Sequence, residues 1–168
     1  MLSNPFDVYL NDHHAMLVAE RELCQRVQRS NEGSALADAA GRQLGLARAG
    51  EAAVKQLLAD RGAAASGTKA TMAWLAEKAG RLKLNGQLTG YSPASRVLEV
   101  EGLILAAQAR AAMWRCLAAS QTPPPEAVDW GQLQQHAEAQ LADLRAVHSA
   151  VAGESFGVGG DRPAGIHR

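Results

Sequence analysis

The chain has 168 residues, 47% apolar but only 4% aromatic and rich in Ala, which argues for one all-α domain of closely spaced helices over an aromatic-rich sheet core. Its 17 Lys and Arg balance 17 Asp and Glu, so no overall field draws in nucleic acid or an anionic membrane. No run approaches the roughly 20 apolar residues that a membrane-spanning helix needs, and MLSNPFDVYLNDHH lacks the basic-then-apolar pattern of a secretory signal, so a cytoplasmic location is expected.

The first helix is expected to open at Asn4, a good N-cap with Pro5 at the first helical position and Asp7 in the first turn, and to run to about Gln28. Its inward stripe reads Phe6, Leu10, His13, Leu17, Glu20, Cys24 and Val27, which places two polar residues on an apolar face. Adjacent His13 and His14 point about 100° apart on a helix, so one faces in and the other out. SNEGS, residues 30–34, is a turn cluster that caps the second helix, expected over Ser34 to Asp60 with a stripe of Leu36, Ala40, Leu44, Ala47, Glu51, Val54 and Leu58. Gly41 and Gly45 lie beside that stripe, and with Gly50 they cost about 1 kcal/mol each relative to Ala, which suggests close packing there.

RGAAASGT, residues 61–68, breaks the pattern, and Thr68 caps a short helix expected to reach about Leu82. Asn85-Gly86 and Gly90-Tyr91-Ser92-Pro93 are turn signals, after which Ser92 or Ser95 opens the third long helix. That helix is apolar on nearly every side from Leu98 to Leu117 and is expected to be the most buried element. Gln121 to Pro125, QTPPP, cannot be helical. The fourth helix is expected from about Pro125 to Ala152 along Trp130, Leu133, Ala137, Leu141, Leu144, His148 and Val151. Residues 1–152 thus form the bundle domain, and the Gly-rich 153–168 is expected to be a disordered tail. Cys24 and Cys116 lie in apolar runs without metal-type spacing and read as small buried hydrophobes.

Helices of about 25 residues are close to 37 Å long. Short links make each pair antiparallel, and the long link over about 61–94 can carry the chain back along the bundle. This is the connectivity of ferritin-like four-helix bundles, with a short helix in the crossover between the second and third long helices. WLAEKAGRLKLNGQLTGYSPASRVLEVEGL, residues 74–103, preceded by YLNDHHAMLVAERELCQR, also resembles a group of bacterial helical proteins of ferritin-like fold that have no established function. GRLKLNG and GYSPASR are its most specific parts. The resemblance implies a fold and a bacterial, cytoplasmic setting, and carries no activity.

Ferritin-like dinuclear sites use a Glu from each of two helices and a Glu-x-x-His from each of the others, because carboxylates neutralise the cations and imidazoles complete the coordination. This chain offers Glu20, Glu51, Glu101 with neighbouring Glu99, and His136, with His13 as a further approach from the first helix. Val54 and Leu141 stand where the pattern wants His, so iron or another divalent metal would find only a degenerate carboxylate site. The competing reading pairs a stripe Glu with Arg42, Arg48 or Arg110 across an interface. Lys78, Arg81, Lys83 and Arg96 form a basic stretch able to receive a phosphate or an acidic partner, although a solvated face is the plainer reading. P-loop and GxSxG motifs are absent. The leading expectation is therefore a non-catalytic protein acting through protein contacts or as a homo-oligomer, with Ala39, Gly41, Gly45, Ala49, Ala52 and Ala53 as a small-residue face and no resident cofactor. Metal binding is the alternative.

Overall fold

The computed structural model describes residues 4–63 and 92–157, and these contain four α-helices and no strand. They are α1 (Pro5–Ser30), α2 (Ala35–Asp60), α3 (Pro93–Ala119) and α4 (Trp130–Phe156). The expected short helix from Thr68 to Leu82 and the turns after it lie outside the described residues.

Each helix begins on a polar side chain that satisfies an otherwise unpaired N–H of the first turn. Asn4 accepts from Phe6 N, Ser34 from Ala37 N, Ser92 from Ser95 N and Asp129 from Gln132 N. Between α1 and α2, Gly33 takes a φ of 77°, a left-handed value that glycine adopts without a Cβ clash. The start of α4 differs from expectation, lying at Trp130 instead of near Pro125. Ala127 has a φ of 63°, which no α-helix accommodates, and Asp129 supplies the cap. The other end runs four residues past Ala152, to Phe156, so the start of the expected tail is helical. Beyond Gly157 the tail lies outside the described residues.

The four helices pack lengthwise around one core, to which all of them contribute. α1 packs against α2 and α3, α4 packs against α3 and α2, and α2 and α3 meet more sparsely across the diagonal. Side-chain ties set the directions. Arg61 at the end of α2 reaches Asp7 at the start of α1 (2.6 Å) and lies 4.8 Å over the Phe6 ring, so α1 and α2 are antiparallel. Arg26 bonds Glu99 at 3.1 Å and Arg96 bonds Asn31 at 3.2 Å, which makes α3 antiparallel to α1 as well. Arg96 also reaches Glu154 near the end of α4. The end of α2 and the start of α3 consequently lie at opposite ends of the assembly.

Aromatic content is low, yet Trp114 and Trp130 stack with centroids 5.5 Å apart and pin the α3–α4 turn, where Trp130 Nε1 donates to the Thr122 carbonyl at 2.8 Å. α3 is not the most buried helix. It buries ten positions against twelve on α2, and Leu105 on its outer side is 66% exposed. Cys24 is buried as expected, but Cys116 is exposed. Of the two adjacent histidines, His14 is the buried one, while His13 is half-buried with its ring centroid 4.5 Å from that of Tyr9, the two rings edge to face. Gly41 and Gly50 are closely packed: a Cβ at Gly41 would lie 3.1 Å from Gln28 Nε2, the end of a flexible side chain, and one at Gly50 would lie 3.0 Å from Leu17 Cδ2 and 3.2 Å from Trp114 Cζ2. Among the described residues nothing lies within 4 Å of a Cβ added at Gly45, and Ala39 and Ala53 are buried in the core, so these two alanines cannot belong to a surface small-residue face.

Candidate functional site

Three helices place polar side chains together inside the core. Glu20 on α1 and Arg110 on α3 are each 3% exposed, and Gln43 on α2 is 0% exposed. Helical register explains the convergence, since Glu20 falls one turn from both Leu17 and Cys24 on the buried stripe. The Glu20 carboxylate accepts from Arg110 Nη1 and from Gln43 Nε2 at 2.8 Å, and Gln43 Nε2 also donates to the Leu103 carbonyl at 2.9 Å. Among the described residues, Gln43 Oε1 and Arg110 Nη2 find no hydrogen-bond partner. Burial pushes the Glu20 carboxyl above its ordinary range, opposed by the Arg110 charge and by the hydrogen bonds from Gln43 and Arg110. Burial, with the Glu20 charge beside it, drives the Cys24 thiol up to about 12, so it is held as the unreactive thiol at neutral pH.

The outer side of the α1–α2 seam carries a groove of ≈ 440 Å³ lined by Arg21, Glu22, Gln25, Arg48, Glu51, Ala52 and Lys55. Arg21 holds both Glu51 oxygens through Nη1, at 2.9 and 3.2 Å, and gives Nη2 to Glu22 at 3.1 Å. Arg48 and Lys55 lie one turn before and one turn after Glu51, and among the described residues neither has a hydrogen bond or ion pair. His14 sits beside these groups, and among the described residues neither ring nitrogen finds a hydrogen-bond partner. Burial lowers its pKa, Glu51 opposes that shift, and the charges of Lys55 and Arg21 add to it.

The candidate metal ligands do not converge. Glu20 lies in the core cluster and Glu51 in the groove, while Glu101 is exposed on α3 with His148 of α4 at 3.3 Å. His136 is exposed on α4. Neighbouring Glu99 is buried and accepts from Arg26. Among the described residues, no three His, Cys, Asp or Glu side chains are grouped to hold a metal ion. The pairing of Glu20 with Arg110 is the cross-interface alternative that the sequence offered. Gln43 is not on the stripe expected for this helix, although the spacing Leu36, Ala40, Gln43, Ala47, Gly50, Val54 fits helical periodicity as well as the stripe through Leu44 and Glu51. Of the basic stretch, Lys78, Arg81 and Lys83 lie outside the described residues, and Arg96 is occupied by Asn31 and Glu154.

No protein-family model matches the chain, and no curated protein or solved structure does either. Among the described residues, no helix is long and apolar enough to cross a membrane.

Proposed function

We propose that the chain is a ferritin-like four-helix bundle of the bacterial cytoplasm, with a crossover between α2 and α3, that acts through contact with another protein and not by catalysis. The connectivity is supported by the opposite placement of the end of α2 and the start of α3. The observation that carries the functional reading is the state of Glu20. The best-placed carboxylate for holding a cation or moving a proton is sealed in the core with the Arg110 guanidinium already bound to it. A metal ion would have to displace that guanidinium and leave a second positive charge buried without its partner, which is strongly unfavourable. The accessible charged groups lie instead on the α1–α2 surface, where Arg48 and Lys55 are open to a partner.

The test is elemental analysis of tag-free protein after dialysis and after incubation with ferrous iron or zinc, combined with in-cell crosslinking of the tagged chain. Metal-free protein and a stoichiometric crosslinked protein are expected. About one or two metal ions retained per chain, and lost in Glu20→Ala, Glu51→Ala, would overturn the reading in favour of a ferritin-like metal-binding protein.

A further inference from the structure

We infer that the α1–α2 groove receives a helix of the partner protein that carries two carboxylates seven residues apart and a basic residue between them. This rests on the protein-contact reading and names the chemistry of the contact. Arg48 and Lys55 are seven residues apart on α2, about 10.5 Å along the axis at 1.5 Å per residue. That is the rise between the two backbone positions; a ligand with two separated charges meets each cation where its side chain leaves the helix, whereas a single phosphate would have to draw both side chains together above Glu51 and Ala52. A helix lying along the seam repeats side chains on one face at the same interval and brings a carboxylate to each cation.

Ala52, between the two cations and beside the Arg21–Glu51 pair, is exposed and offers only a methyl group, so on that side of the pair no long side chain holds an approaching helix away. The groove also contains carboxylates. Glu51 is neutralised by Arg21, whereas Glu22 shares Arg21 with it and is more than half exposed. A densely anionic ligand such as nucleic acid would meet that residual negative charge along its length. A helix with a Lys or Arg opposite Glu22 gains there instead, so a groove of mixed sign selects a partner of mixed sign.

The experiment titrates the full chain into a fluorescent, Ala-rich helical peptide of about 20 residues with two Glu seven positions apart and a Lys between them. A matched peptide has Gln for Glu, and a single-stranded oligonucleotide of similar length is the third probe. The Glu peptide is expected to bind, more weakly as salt rises, and to lose affinity about tenfold or more both in Arg48→Glu, Lys55→Glu and on Glu-to-Gln replacement. Arg115→Glu, Arg145→Glu makes the same change in net charge on exposed positions of α3 and α4 and is expected to leave binding unchanged. Absence of binding, equal binding of the Gln peptide, equal losses in the two double variants, or tighter binding of the oligonucleotide would each overturn the inference. The in-cell crosslink separates the two readings: a partner still captured by Arg48→Glu, Lys55→Glu removes the groove and leaves the protein-contact reading standing.

Discussion

At the scale of single residues, the Glu20–Arg110 pair is better understood as a constraint on packing than as a source of stability. Taking both charges out of water is expensive, and the attraction between them returns that cost only when every remaining polar atom is satisfied. Here Gln43 Oε1 and Arg110 Nη2 are not. Removing one partner should therefore be far worse than removing both. Arg110→Met leaves a buried carboxylate with only Gln43 and is expected to lower the unfolding free energy in urea by about 3 kcal/mol or more, whereas Glu20→Leu, Arg110→Met should recover most of that loss. A double variant as unstable as the single one would mean that the pair is net stabilising. The cluster was half legible in the sequence. A Glu on an apolar stripe and an Arg in an apolar helix are visible as anomalies, but which groups meet is decided by helix rotation. The same rotation exchanges His13 for His14 and moves Glu51 from the core to the edge of α2.

At the scale of the element, caps were easier to read than faces. Asn4, Ser34 and Ser92 are short polar side chains before apolar runs, and that local chemistry fixes where α1, α2 and α3 begin. The start of α4 depends on the left-handed backbone at Ala127, which a Pro-rich link does not advertise. α2 carries glycines whose roles the sequence could not separate. A Cβ added at Gly45 would meet nothing within 4 Å among the described residues, so Gly45→Ala removes backbone freedom from the unfolded chain without a clash there and should stabilise by about 0.5–1 kcal/mol. At Gly50 the added methyl meets the end of Leu17 and, more seriously, the Trp114 ring, which is 1% exposed and stacked on Trp130. Crowding of that kind typically costs about 1–3 kcal/mol, so Gly50→Ala should lose stability despite its better helix propensity. Thermal unfolding of the two variants side by side decides it, and equal shifts would show that α2 does not sit so closely against Trp114.

At the scale of the whole molecule, the order of directions is what distinguishes a ferritin-like bundle from a simple up-down-up-down one. In the simple arrangement a short link would return α3 beside the end of α2. Here Arg61 is tied to Asp7 at one end, while Arg96 is tied to Asn31 at the other. α2 has 26 residues and is about 39 Å long, so Asp60 and Ala94 should be separated by roughly that length. Spin labels at Asp60→Cys and Ala94→Cys, in a chain with exposed Cys116 changed to Ser, are expected to give a distance near 40 Å, about the length of one helix. A separation close to the 8–10 Å typical of neighbouring helix axes, allowing for the label arms, would place α3 antiparallel to α2 and count against the proposed crossover. The measurement bears on function too, because it tests the pairing of α1 with α3 that delivers Arg110 to Glu20. With α3 reversed, Arg110 would lie elsewhere along the core, the carboxylate would lose its guanidinium, and a cation approaching Glu20 would no longer meet a charge already in its place.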